Sequence, residues 1–165
     1  MAIVAKPLTA EAFAAFGEVV SVGNQGGTSA NGGTAQRFDY TASLQSQRPG
    51  AKANMVTVSC VPVSLPLPLK LLEKHPHSSQ TFIPMVCSRY LICVAPTAGD
   101  GSPELGGLKA FIGEPGQAIN YHPGIWHHPL VVLDSPAQFA MLVWEDGSAE
   151  DCVLFPLTQP QLVTG

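Results

Sequence analysis

The stretch that decides the fold is Leu108-Lys109-Ala110-Phe111-Ile112, then Gly113-Glu114-Pro115-Gly116-Gln117, Ala118-Ile119-Asn120-Tyr121, His122-Pro123-Gly124 and Ile125-Trp126-His127-His128-Pro129-Leu130-Val131-Val132-Leu133. Short apolar runs alternate with Gly/Pro turns, which is the pattern of strands and leaves no room for the helices of a parallel α/β fold. The same rhythm extends outward, with apolar runs at 18–22, 37–40, 54–60, 69–75, 81–85 and 90–95 before the stretch, and at 137–143 and 152–155 after it. One helix is predicted near the start: Thr9 is an N-cap, Glu11 sits in the first turn, Phe13 and Phe16 share a face, and Gly17 stops it. The fold class is therefore all-β, a barrel or sandwich with a short N-terminal helix, as one domain over 1–165.

Composition narrows the class of function. Of 165 residues 45% are hydrophobic and only 12% charged, which excludes intrinsic disorder. The net charge is -4, and no Lys/Arg cluster offers the basic face that a nucleic-acid partner needs. No apolar run reaches the roughly 18–20 residues of a membrane span, and no signal core precedes Lys6-Pro7, so a soluble, cytoplasmic protein is expected. Cys60, Cys87, Cys93 and Cys152 form no paired motif and read as free thiols. Residues 23–33 hold five glycines without any phosphate-binding pattern, and read as a mobile surface loop.

All five histidines fall in two windows, Glu73-Lys74-His75-Pro76-His77-Ser78-Ser79-Gln80 and Asn120 to His128. Alternation along a strand puts Glu73 and His75 on one face, with His77 two positions further on, while Lys74 faces away. Glu73-x-His75-x4-Gln80, followed by Cys87, resembles the first cupin motif, and Gly116-x5-His122-x-Gly124-x2-His127 resembles the second. In cupins the two stretches lie on neighbouring strands and present metal ligands inward. Glu73 stands at the first His position, Gln80 at the acid, Cys87 at the Gly and His122 at the Pro. Two histidines and a carboxylate suit a divalent transition metal, while Gln80 removes one charge from the set. Of the adjacent His127 and His128 only one can face inward, and the motif selects His127.

A narrower resemblance rests on Glu73-Lys-His-Pro-x3-Gln80-x-Phe82-Ile83-Pro84, on Ala110-Phe111-Ile112, and on Gly116-Gln-x-Ile-Asn120-Tyr121-His122-x-Gly124-x-Trp126-His127-His128-Pro129-Leu130. With Pro7-Leu8-Thr9-x-Glu11-x-Phe13-x2-Phe16-Gly17 and Arg37-Phe38, this is similar to the ureidoglycolate lyase family from about residue 5 to Cys152. The resemblance implies a cupin-type barrel, a homodimer, and cleavage of (S)-ureidoglycolate to glyoxylate and urea in allantoin degradation. It further implies a divalent ion, with nickel suggested, and no organic cofactor. Family members often carry Arg where Cys60 stands, Gly where Cys87 stands, and a small or apolar residue where His77 stands.

Ureidoglycolate carries a carboxylate, a hydroxyl and the urea nitrogen on one carbon. Its cleavage needs a base for the hydroxyl proton, an acid for the leaving nitrogen and a cation for the carboxylate. The expected roles are His75 and His127 as metal ligands or base, His122 as partner acid, and Glu73 completing the metal site or orienting a histidine. Arg37 is the carboxylate anchor with Lys109 in reserve. Gln80 and Asn120 hydrogen-bond the ureido group, and Trp126 is either a substrate wall or core. Two alternatives remain open, an amidohydrolase releasing ammonia from the same substrate and a non-catalytic small-molecule-binding module.

Overall fold

The computed structural model describes residues 2–23 and 26–165. In chain order the elements are β1 (Ile3–Val4), β2 (Lys6–Pro7), α1 (Ala10–Phe13), β3 (Gly17–Val20), β4 (Thr28–Ala30), β5 (Ala35–Arg37), β6 (Lys52–Cys60), β7 (Leu67–Lys74) and β8 (Gln80–Val86). They continue with β9 (Tyr90–Ala95), β10 (Lys109–Gly113), β11 (Ala118–Tyr121), β12 (Trp126–His127), β13 (Val131–Val132), β14 (Ala137–Glu145) and β15 (Val153–Thr164). Two sheets face each other, one in the order β1-β15-β7-β12-β9-β10-β2 with β13 on β9, the other in the order β3-β11-β8-β14-β6. This is the expected cupin-like all-β barrel.

The core lies between the sheets. Tyr90, Ile92 and Val94 of β9 and Phe111 of β10 meet Ile119 and Tyr121 of β11, Phe82 of β8 and Phe139 of β14. The alternate residues of the first sheet, among them Leu91, Cys93, Ala95, Ala110 and Trp126, build a second apolar cluster on its back with Leu157 and Val163. Strands β9 and β10 are thus buried on both faces, which is why they read as unbroken apolar runs.

The helix starts as expected, with the Thr9 hydroxyl accepting from the Ala12 amide at 3.2 Å, and it buries Phe13. It lasts a single turn, and Gly17 opens β3 instead. A Cβ on Gly17 would lie 1.9 Å from the Asn120 carbonyl oxygen, so a glycine is required where β3 crosses β11. Three departures from the expected strands have local causes. The run at 37–40 stays extended only to Arg37, because Tyr40 turns the chain at φ 55. The run at 125–133 splits into β12 and β13 around His128-Pro129. The run at 152–155 extends to Thr164, with an irregularity between Pro156 and Gln161 that absorbs the prolines. Within the expected glycine-rich loop, β4 pairs with β5 as a hairpin, while Asn24 and Gln25 lie outside the described residues. Among the described residues no helix is long and apolar enough to cross a membrane.

Candidate metal centre

One end of the barrel gathers the C-terminal end of β7, the short β12 and the start of β8. In register, His127 on β12 lies opposite Glu73 on β7 and Val94 on β9, whose side chain belongs to the interior core. That register turns Glu73 and His127 inward. Lys74 and Trp126 point to the back of the sheet, where the Lys74 ammonium sits 4.4 Å over the indole. The ligand-type atoms of Glu73, His75 and His127 all lie within 4.8 Å of one another.

The two imidazoles are fixed by backbone carbonyls. His75 Nδ1 lies 2.7 Å from the Asp151 carbonyl oxygen and His127 Nδ1 lies 2.9 Å from that of Ile125. A carbonyl only accepts, so each Nδ1 carries the proton and each neutral ring is left with a bare lone pair on Nε2. Both Nε2 atoms are buried and without a hydrogen-bond partner. His127 Nε2 instead faces Glu73 Oε1 at 3.5 Å, lone pair against carboxylate. Such an arrangement needs a cation between the groups, either a proton on imidazole or a metal ion.

Electrostatics sharpen this. Burial, and then the neighbouring His127, hold His75 below the ordinary imidazole value against the pull of the Asp151 carbonyl and Glu73. Burial pulls the Glu73 carboxyl up, but the contact with His127 and the nearby His75 and His128 outweigh it, so Glu73 sits below the usual carboxylate range. The site therefore brings one carboxylate together with two imidazole Nε2 atoms, a donor set suited to a divalent transition metal. Tyr121 stacks on His127 with ring centroids 4.2 Å apart and planes 12° from parallel, and His75 stacks at 5.7 Å on the same ring. Gln80 is the register partner of Tyr121, buried on the inner face, and its Oε1 also lacks a partner while Nε2 points at the Met141 sulfur at 3.2 Å.

The other expected site residues go elsewhere. His122 Nε2 meets Glu18 Oε1 at 3.1 Å on the outer face of the second sheet, alternate to inward-facing Tyr121, so it is not brought to His75 and His127. Asn120 faces the same way: its amide donates to Glu18 Oε2 at 2.8 Å and to the Ser43 carbonyl at 3.2 Å, and its Oδ1 accepts from Thr81 at 2.6 Å. Fully buried and fully paired, Asn120 fastens the 41–45 segment to the sheet. Trp126 is core on the back of the first sheet, its indole N–H donating to the Gly101 carbonyl at 3.2 Å. Arg37 is exposed at the rim of the β4–β5 hairpin and paired with Asp39 at 2.7 Å. Lys109 extends over the Phe16 ring at 5.5 Å. His77 reaches outward to Glu150 at 3.3 Å, and His128 Nδ1 turns to the Pro129 carbonyl at 2.8 Å. Cys60 ends β6 opposite Ala137, whereas the site end of that strand is Lys52 opposite Glu145, about 26 Å away at ~3.3 Å per residue.

Sequence reasoning missed Tyr121, although its alternation with Asn120 carries the signal. It also missed Cys152, whose thiol approaches Glu73 Oε2 at 3.8 Å, and the Asp151 carbonyl, which no side-chain pattern could disclose.

The comparison with known proteins decides the family, because a model described as Ureidoglycolate lyase matches residues 1–164. The chain belongs to the ureidoglycolate lyase family. A ureidoglycolate lyase of Burkholderia cepacia is 39% identical over 151 residues, covering 91% of this chain and 83% of its own. Proteins of that name from Pseudomonas savastanoi pv. phaseolicola and Pseudomonas putida W619 are 35% identical over 98% and 96% of this chain, and 93% of each of theirs. Members of the ureidoglycolate lyase family thus match this chain from its first strand to its last.

Proposed function

We propose that this protein is a carbon–nitrogen lyase that cleaves (S)-ureidoglycolate to glyoxylate and urea, working in the cytoplasm as a homodimer. The observation that carries this reading is the pair of buried, unpartnered Nε2 lone pairs facing an ionised Glu73, at the inner end of a barrel whose whole length matches the lyase family. A divalent metal held by Glu73, His75 and His127 would supply positive charge for the substrate carboxylate and hydroxyl oxygen; nickel is the ion the family resemblance suggests.

The chain's own residues account for the proton. Cleavage moves the hydroxyl proton to the urea nitrogen while the C–N electron pair leaves with that nitrogen and a carbonyl forms. No net proton is gained or lost, so one basic atom that accepts and returns it suffices. Where no ion takes the Nε2 lone pair, His127 can do this: Nε2 takes the proton, and the resulting imidazolium faces Glu73 at 3.5 Å. The unpartnered Gln80 Oε1 would accept from the ureido N–H groups, and Tyr121, stacked on His127, supports that ring. Dimer formation is supported by apolar side chains left on the surface of the second sheet, among them Met55, Ile83 and Met85.

The test is turnover of racemic ureidoglycolate with urea, ammonia and glyoxylate assayed separately, before and after chelation. Urea with glyoxylate supports the lyase, and ammonia would replace it with an amidohydrolase. Loss of turnover on chelation assigns the trio to a metal, and retention assigns it to proton carriage by His127. Light scattering reads the oligomeric state.

A further inference from the structure

His127 is locked by a carbonyl two residues away, but His75 depends on a carbonyl from the far side of the chain, and that carbonyl has its own support. The segment 146–151 closes on itself: the Asp151 carboxylate accepts from the amides of Asp146 at 3.1 Å and Gly147 at 2.7 Å, and the Asp151 amide donates to the Ser148 carbonyl at 3.1 Å. Into this turn comes Arg48, with only 16% of its side chain exposed. Its guanidinium binds Asp146 Oδ1 at 2.9 Å, the Ser148 hydroxyl at 2.7 Å, and Asp151 Oδ1. Arg48 is itself anchored beside the site, because the neighbouring Gln47 amide donates to the His77 carbonyl at 2.8 Å, and Ser46 bridges to Ser78.

We propose that Arg48 is the positioning residue of the centre: by gripping three acceptors of the 146–151 turn it holds the Asp151 carbonyl where it fixes the tautomer and plane of His75. The proposal rests on the reading of His75 as a working group of the site. A fork of donors is required, because the acceptors belong to three residues and a single ammonium cannot reach them together. Two aspartates offset the charge of Arg48, and its Nη1 and Nη2 groups are taken up by the turn, which leaves Nε as its one unpaired donor.

The experiment compares wild type, Arg48→Ala and Arg48→Lys by two readouts. The first is the nitrogen-15 spectrum of the metal-free protein, which reports the proton of the His75 ring directly. Wild type is expected to show His75 protonated on Nδ1 alone. Arg48→Ala is expected to show exchange between the two neutral tautomers, and Arg48→Lys to fall between. The second is the affinity for cobalt(II) in a competition titration, expected to weaken about 10- to 100-fold in Arg48→Ala, the range for groups that orient metal-binding histidines, and to recover partly in Arg48→Lys. A His75 signal and a cobalt affinity unchanged in Arg48→Ala overturn the proposal; should that variant not fold, the same two results in Arg48→Lys overturn it. If wild type binds no cobalt, the metal reading of the site fails while the nitrogen spectra still decide the role of Arg48.

Discussion

Replacing His127 by alanine separates what the ring does for the fold from what it does for the site. The side chain is almost wholly buried, its Nδ1 hydrogen-bonds the Ile125 carbonyl at 2.9 Å, and its ring stacks on Tyr121 at 4.2 Å. Alanine leaves that carbonyl unpaired, at about 1–3 kcal/mol, and removes an aromatic stack of about 0.5–1.5 kcal/mol. The expected loss is about 2–4 kcal/mol, a fall in Tm of about 4–16 °C for a chain of this size. Turnover at a temperature where the variant is folded is expected to fall about 100- to 10,000-fold, as for loss of a proton-transfer group. Tyr121→Leu is the control, because it removes the stack and keeps Glu73, His75 and His127. Differential scanning calorimetry measures the first quantity and urea release the second. If His127→Ala loses stability as expected but keeps kcat within threefold of wild type, the ring is packing and the centre lies elsewhere.

Other consequences follow from single features. Arg37→Ala is expected to leave KM within about twofold, because Arg37 is exposed and paired with Asp39, and an exposed pair is worth little; a tenfold rise would return it to the substrate. His122→Ala is expected to keep most of kcat while lowering Tm, since its partner Glu18 lies on the outer face; loss of turnover in a folded variant would contradict that placement. Gly113→Ala would put a Cβ 2.4 Å from the buried Tyr90 ring and is expected to cost about 1–3 kcal/mol or more, read as a shifted urea midpoint. His75 and His128 are both held below the ordinary imidazole value chiefly by burial. The folded protein therefore binds fewer protons than the unfolded chain below about pH 6.5, so stability present above that value is lost as the pH falls. An unchanged or higher urea midpoint at pH 5.5 than at pH 7.5 would show that sign to be wrong.

The sequence made the strands of the first sheet legible because burial on both faces leaves continuous apolar runs, as at β9 and β10. It concealed the second half of β15, where Pro156 and Pro160 look like breaks and the ladder absorbs them in an irregularity. At the site, alternation puts Glu73 and His75 on one face, and the resemblance to the second cupin motif selects His127 over His128. His122 and Asn120 could not, since the same alternation that turns Tyr121 inward turns them out, and proximity in sequence hid the difference. Arg37 illustrates a different gap: where an arginine goes depends on the nearest carboxylate, here Asp39 two residues on, more than on any motif.

Among the described residues strand β6 forms the outer margin of the second sheet, nine residues long and paired only with β14, with Lys52 as its single charged side chain. A row of free amides and carbonyls with so little charge is a template onto which another strand can be laid. Association at this margin would run through backbone hydrogen bonds, on which the overall charge of -4 has little direct hold. At high concentration an ordered neighbour on this margin would shield it, whereas a misaligned one would seed precipitation. A lysine at the outward, exposed Thr57 would make the margin self-repelling, and because Thr57 stands two residues from Met55 and level with Ile83 it should also weaken a dimer formed through that face.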